Sequence, residues 1–334
     1  MTDRTHEALV YDELGDPSEV LRLEKLPVPD LGKGEVRVRM RAAAIHPSDF
    51  GMIAGSYERL RQLPSIAGRE GVGEVAEVGS GVDKKLIGRM VSLPEDQGAW
   101  SECFVMPAED LFFLPIGLPY DQAALALLNP LTAWRLLHDF EYLKEGDWII
   151  QNAANSAVGV AVIQLSKHLG LRTVNVVRRE ELREDLLGAG ADLVVIDDDD
   201  YPDSLLDCTN GKEPKLALNS IGGPSALRLA KTLSPSGVHV TFGAMTGESI
   251  RFPTRSLIFN DVRFVGFWLD QWRRRQSPEK IHETCEEILF LAATNVLQSR
   301  IEATFPLADY EQALAKAKEP RFGKVLFTQG AELS

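Results

Sequence analysis

The sequence predicts an α/β protein in which a small β-barrel precedes a doubly wound parallel sheet. Three observations carry this reading. The first 115 or so residues are rich in Gly, Pro and short alternating runs. From Asp147 the pattern changes to strand, helix, strand, with further short apolar strands between helical stretches. The junction, Asp147–Arg179, reads as one βαβ unit, the arrangement that sets a dinucleotide pyrophosphate on a helix N-terminus.

The elements follow in order. The chain enters a strand at Ala8–Tyr11. Glu35–Ala43 alternates strictly and Gly71–Val78 nearly so, as strands with one buried face do. Turn signals recur at Pro27-x-Pro29, Gly32-x-Gly34 and Gly79-x-Gly81, as in a small barrel. Helical spacing begins over Tyr120–His138. Asp147–Ala153 is an apolar run of strand length, Val158–Leu169 repeats at helical spacing until Gly170 stops it, and Thr173–Val177 is the next strand. Leu193–Ile196, Leu216–Leu218 and Val238–Phe242 are further strands, and the acidic run Asp197–Asp200 is a solvated loop rather than a metal site. A helix over Pro278–Ala293, the helical stretch Leu307–Lys318 and a strand at Lys324–Thr328 come last. There are no internal repeats and no low-complexity linker.

At 334 residues the chain exceeds one typical core, so two domains are expected. The 44% hydrophobic and 25% charged content is that of an ordinary soluble protein, and the net charge of −13 argues against nucleic acid or an anionic membrane as the main partner. Arg273-Arg274-Arg275 is a local basic spot, read as a solvated face. Cys103, Cys208 and Cys285 are scattered without a C-x-x-C, which fits reduced thiols and neither a disulfide frame nor a zinc lobe. The N-terminus lacks an apolar h-region and an Arg/Ser-rich leader, and no run approaches 18 apolar residues. The expected location is cytoplasmic, with no membrane partner.

The strand-to-helix turn reads Ala154-x-Ser156-Ala157-Val158-Gly159, a degraded form of G-x-G-x-x-G that by itself means little more than close packing. The end of the following strand says more. NAD sites place an acidic residue there for the ribose 2′-OH. Here stand Arg178 and Arg179, whose guanidinium forks suit a 2′-phosphate. The alternative is a pair of solvated arginines at a strand end. Taken with the turn, the reading is NADP(H) rather than NAD(H).

Several motifs together resemble the medium-chain dehydrogenase/reductase superfamily, nearly end to end, and within it the zinc-free 2-enoyl thioester reductases of the mitochondrial type. They are Ile45-x-Pro47-Ser48-Asp49, Gly55-x-Tyr57, Gly71-Val72-Gly73-Glu74-Val75 and Asn129-Pro130-x-Thr132-Ala133. Further on come Gln151-Asn152-Ala153-x-Asn155-Ser156-x-Val158-Gly159, Leu171-Arg172-Thr173-x-Asn175-Val176-Val177-Arg178 and Gly266-Phe267-Trp268-Leu269-x-Gln271-Trp272. The resemblance implies a GroES-like β-barrel catalytic domain over residues 1–125, a Rossmann NADP-binding domain over 126–270, and a C-terminal segment, 271–334, returning to the catalytic domain. It also implies a homodimer, with the edge strand near Arg263–Phe267 extending the sheet across a two-fold axis.

Zinc is tested by counting ligands. Where the zinc alcohol dehydrogenases of this superfamily hold their catalytic metal, this chain has His46, Arg69 and Asn129, and the lobe cysteines are absent. Without a Lewis acid to ionise an alcohol, reduction of an activated C=C is the more plausible chemistry. For a 2-enoyl thioester that means hydride at the β-carbon and a proton at the α-carbon, with charge held between them on the carbonyl oxygen.

By resemblance Tyr57 is the active-site tyrosine, a phenol protonated at neutral pH and able to donate to the enolate; the plainer alternative is a pocket edge. By the same resemblance Asn129 and Thr132 lie beside the nicotinamide, and Asn155, Ser156, Ala157 and Val158 present donors to the pyrophosphate. Arg178, Arg179 and Glu180 frame the 2′-phosphate. Phe242, Gly243, Ala244 and Met245, with Phe267, Trp268 and Leu269, offer backbone groups to the carboxamide or are ordinary core, and Lys324 reaches the cofactor. His46, Arg69, Trp268 and Trp272 are expected to line the substrate pocket.

Four positions depart from the pattern. His46 and Arg69 stand where Asn is usual, Ala157 replaces a turn glycine, and Glu58 replaces a proline after the tyrosine. The leading expectation is NADPH-dependent reduction of enoyl-CoA or enoyl-acyl-carrier-protein in fatty-acid metabolism. Because His46 and Arg69 alter the pocket, a reductase of quinones or small α,β-unsaturated carbonyls is the second reading. An NADPH-binding protein with little turnover is the third.

Overall fold

The computed structural model describes residues 4–329. By internal contacts the chain forms two compact units, Met1–Leu128 with Ser299–Ser334, and Asn129–Gln298.

The first unit is built on antiparallel strands whose alternation buries one face. Glu35–Ala44 is its central strand, with Val36, Val38 and Met40 turned inward and wholly buried. It pairs antiparallel with Gly71–Val78, with Cys103–Pro107 and with Lys324–Thr328. A second sheet of three strands is centred on Thr5–Tyr11. Both sheets close on one apolar core that includes Leu9, Val75, Trp100 and Phe327. The Trp100 and Phe327 rings meet edge-on at 5.2 Å, and the Trp100 indole N–H donates to the Ala44 carbonyl at 3.0 Å. The return of the chain is therefore part of this core. Ile301–Phe305, the helix Tyr310–Lys318 and Lys324–Thr328 form a right-to-the-core strand–helix–strand unit, its two strands parallel.

The second unit is a six-stranded, wholly parallel sheet. Its spatial order is Leu193–Ile196, Arg172–Val177, Trp148–Gln151, Leu216–Asn219, Val238–Thr241, Arg263–Gly266. In chain order that is 3-2-1-4-5-6, the doubly wound arrangement whose order reverses beside the first strand and leaves a binding crevice at the strands' carboxyl ends. Residues 271–298, assigned from the sequence to the returning segment, fall in this unit by contacts, with the helix Pro278–Ala293 packed beside Asn129–His138.

One predicted element is broken. The helical stretch over Tyr120–His138 is two helices, Tyr120–Ala123 and Asn129–His138. Between them the amides of Leu127 and Leu128 donate to the Glu70 carboxylate at 2.9 and 2.7 Å. A buried acceptor just ahead of the distant strand Gly71–Val78 thus takes over two amides that a continuous helix would have used.

Candidate active site

In the first unit a short helix, Pro47–Ala54, brings two of the predicted residues into place. His46 precedes it, and its backbone N–H donates to Asp49 Oδ2 at 2.7 Å. Pro47 sits in the first turn, where its missing N–H costs nothing. At the other end Gly55 takes φ 78°, a left-handed turn that a side chain would strain. The amides of Ser56 and Tyr57 then both donate to the Gly51 carbonyl, at 2.9 and 3.1 Å. Tyr57 is set by the helix end rather than by a free loop.

Tyr57 Oη accepts a hydrogen bond from Arg69 Nη1 at 3.0 Å, and the Arg69 guanidinium carbon lies 5.3 Å from the Tyr57 ring centre. Arg69 is buried, and it donates from Nε and Nη2 to Glu95 Oε1 at 2.9 and 2.7 Å. Arg59 donates to the same carboxylate at 3.0 Å.

A second buried cluster lies around His46. Lys324 Nζ donates to His46 Nδ1 at 2.8 Å, and His46 Nε2 lies 2.8 Å from Glu70 Oε2. An ammonium has no lone pair, so Nδ1 must accept; the ring proton is then on Nε2 and donates to Glu70. Burial, and then the Lys324 charge, hold His46 well below the ordinary histidine range, so it is neutral. Burial also lowers Lys324 to about 8, with Glu70 opposing that fall. The result is a chain of cation, neutral imidazole and carboxylate, closed at its acidic end by the Leu127 and Leu128 amides.

These residues do not fit a zinc ion. Both His46 ring nitrogens are engaged, one of them by an ammonium, and among the described residues no group of three His, Cys, Asp or Glu side chains could hold a metal. His46 and Arg69 are each tied into the wall by more than one bond. Lys324, predicted to reach a cofactor, has its ammonium on His46 and within 3.5 Å of the Ile45 carbonyl. Glu70 and Glu95 join the site with no motif in the sequence to mark them. Arg69 and Glu70 are neighbours in the chain, but the partners of Glu70 and Glu95 lie 24 to 58 residues away.

In the second unit the turn expected to take the dinucleotide joins the strand Trp148–Gln151 to the helix Ala157–His168. Ser156 caps the helix Ala157–His168, its hydroxyl accepting from Gly159 N at 3.1 Å. The N–H groups of Ala157 and Val158, in the first turn of this helix, have no acceptor one turn earlier in it, the arrangement that suits an anion at a helix N-terminus. Gly159 is required, because a Cβ there would lie 2.5 Å from the Ala154 carbonyl oxygen. The strand ends are held by side-chain amides. Asn152 bonds Asn219 at 2.8 Å and accepts from Ser220 N, and Gln151 bonds Asn175 at 2.8 Å.

The remaining predicted residues are placed as follows. Asn129 opens its helix, and its Nδ2 is buried without an acceptor among the described residues, a donor suited to a ligand. Thr132 is half-buried on the same helix, one turn on, and Asn155 is half-buried just before the Ser156 cap. Arg178 is exposed just beyond its strand, while Arg179 pairs with Glu181 at 3.9 Å and Glu180 with Arg183. Phe242 and Met245 donate their amides to Asn219 and Ser220, Gly243 packs on Ser220, and Ala244 is exposed. Phe267 packs edge-on against Phe140. Leu269 is core, Trp268 lies 5.0 Å from the Arg274 guanidinium, and Trp272 is buried beneath Arg135 at 4.9 Å. The orphaned Asn129 donor, the open amides at Ala157 and Val158 and the close approach at Gly159 all fit a dinucleotide.

The chain matches two family models, the alcohol dehydrogenase GroES-like domain over residues 32–116 and zinc-binding dehydrogenase over 157–287. It is 39% identical over 320 residues to the mitochondrial enoyl-[acyl-carrier-protein] reductase of Rattus norvegicus, covering 94% of this chain and 86% of the relative. The Bos taurus enzyme of the same name is 40% identical over the same shares. Among solved structures, the mitochondrial 2-enoyl thioester reductase Etr1p/Etr2p heterodimer of Candida tropicalis has a TM-score of 0.87 at 28% identity, covering 98% of this chain and all of that one. An Etr1p complex with NADP and crotonyl-CoA scores 0.87 at 27%, with the same coverage. A mycobacterial quinone oxidoreductase scores 0.81 at 26%, over 97% of this chain and all of that one. The cytoplasmic expectation is overturned by the mitochondrial relatives. It rested on the first few residues, and a leader is no part of the fold by which relatives are matched. No helix among the described residues is long and apolar enough to cross a membrane.

Proposed function

The chain belongs to the enoyl thioester reductases of the medium-chain dehydrogenase/reductase superfamily, and we propose that it reduces the C2=C3 double bond of trans-2-enoyl thioesters with NADPH. The observation that carries this is the near end-to-end relationship to enoyl reductases, together with a tyrosine held at a helix end with its oxygen on a buried arginine.

Bound NADPH supplies the hydride that goes to C3. The protein's own groups bind the cofactor, hold the substrate and deliver the proton. Ala157 and Val158 offer amides to the pyrophosphate, Arg178 and Arg179 take the 2′-phosphate, and the Asn129 amide serves the nicotinamide end. As charge grows on the thioester oxygen, the Tyr57 hydroxyl donates to it or protonates C2. The phenol can do so because Arg69 only donates to its oxygen. Lys324, His46 and Glu70 form a buried chain of cation, neutral imidazole and carboxylate in the same unit.

The decisive experiment follows NADPH absorbance with crotonyl-CoA, a longer trans-2-enoyl-CoA and a simple quinone, with NADH in parallel. Turnover of an enoyl-CoA with NADPH, and much less with NADH, is the expected result. Turnover of the quinone alone would transfer the assignment to the second reading, which the likeness to a quinone oxidoreductase favours. Binding of NADPH with no acceptor reduced would leave only the third.

The enzyme is proposed to act as a homodimer. Arg263–Gly266 is the outermost strand of the parallel sheet, three of its four residues are exposed, and its outer edge is unpaired among the described residues. Light scattering after size exclusion is expected to give twice the chain mass at micromolar concentration, and a monomer there would remove the claim.

A further inference from the structure

We propose that Arg69 is a positioning residue for the reaction, aiming the Tyr57 hydroxyl hydrogen at the substrate and standing opposite the charge that proton transfer leaves behind. This rests on the role of Tyr57 given above.

The Arg69 guanidinium fixes the direction of every hydrogen bond it makes. It carries five donors and no acceptor. Nε and Nη2 are directed at Glu95 Oε1, which fixes the plane of the group, and Nη1 is directed at Tyr57 Oη. An arginine cannot accept the phenol's hydrogen. That hydrogen must therefore point away from Arg69, while one lone pair of the oxygen is held by it. A neutral amide at this position, the residue type the resemblance expects, could accept that hydrogen through its carbonyl and so turn the hydroxyl inward.

Charge supports the same role. Arg59 and Arg69 both donate to the carboxylate of Glu95, and Arg69 carries its charge on to the Tyr57 oxygen. From the other side Arg69 feels His46, which is neutral, together with Asp49, whose carboxyl is pushed up by burial. Lys324 belongs to that side as well and is balanced by Glu70. Transfer breaks the Tyr57 Oη–H bond and forms the C2–H bond of the product. The phenolate left behind faces Arg69 Nη1 at hydrogen-bond distance until water returns a proton.

A purely structural Arg69, one that serves only to pair Glu95, would predict something different. Removing it would affect the enzyme whether or not residue 57 carries a hydroxyl. The test is therefore a double-mutant cycle of Arg69→Met and Tyr57→Phe, read as kcat and KM with crotonyl-CoA and NADPH. Arg69→Met is expected to lower kcat about tenfold or more with little change in KM for NADPH, and to lower it no further in the Tyr57→Phe background. Arg69→Lys keeps the charge beside Glu95 and is expected to recover part of the loss, since one ammonium cannot reproduce the planar fork. Should Arg69→Met not fold, Arg69→Lys replaces it in the cycle, with a smaller loss of kcat that likewise disappears in the Tyr57→Phe background.

Equal losses in the two backgrounds would overturn the inference, and so would unchanged kcat in the Arg69 variant. If Tyr57→Phe itself leaves kcat unchanged, the role of Tyr57 fails and the inference falls with it. That outcome is distinguishable, because it appears in the variant that retains Arg69.

Discussion

Replacing Tyr57 by Phe is expected to lower kcat for crotonyl-CoA about a hundredfold, the usual contribution of a positioned general acid. The substitution is clean because the ring keeps its place. Its stacking beside the Arg69 guanidinium, at 5.3 Å, does not need the hydroxyl, and the Gly51 carbonyl continues to hold the backbone at residue 57. Only the oxygen is lost, and with it the donor to the thioester. Cofactor affinity is expected to persist, since the dinucleotide turn at Ser156–Gly159 lies in the other unit. Titration of NADPH fluorescence, alongside steady-state turnover, separates the two effects. Unchanged turnover would make Tyr57 a wall residue and return the substrate to the quinone reading.

The second large effect is on stability. Glu70→Ala is expected to destabilise the protein by about 3–5 kcal/mol, read from denaturant midpoints, because it strands a buried charge. Glu70 Oε2 receives the His46 ring proton, and Oε1 receives two backbone amides. Removing it takes from the Lys324 ammonium the larger of the two carboxylate influences that oppose its desolvation, and takes the acceptor from Leu127 N and Leu128 N where the two helices part. Glu70→Gln separates these contributions. Its amide oxygen can still accept from the Leu127 and Leu128 N–H groups, so a smaller loss than for Ala is expected. A loss below about 1 kcal/mol for Ala would show that the buried lysine is compensated elsewhere.

Much of the architecture was readable in advance. Alternation over Glu35–Ala43 and Gly71–Val78, and the strand–turn–helix–strand at Asp147–Val177, are local patterns with periods of two and 3.6 residues, so neighbouring residues reveal them. The strands begin and end within a residue or two of expectation. The helical stretch at Tyr120–His138 failed for a non-local reason, since its break depends on a carboxylate more than fifty residues earlier.

The site divides in the same way. The sequence by itself determined the α/β class, the dinucleotide turn at Ser156–Gly159, the arginines after the second Rossmann strand and the family in which Tyr57 has its part. Each of these is a short run of residues whose meaning lies in its own spacing. Only the tertiary structure decided that Lys324 meets His46 across 278 positions, that Glu70 closes that chain, and that Glu95 orients Arg69 toward Tyr57. Strand pairing between Glu35–Ala44 and Lys324–Thr328 brings the first of these pairs together. Which buried charges then find each other is settled by the cost of leaving any of them unpaired, and that cost exists only once the core has closed around them.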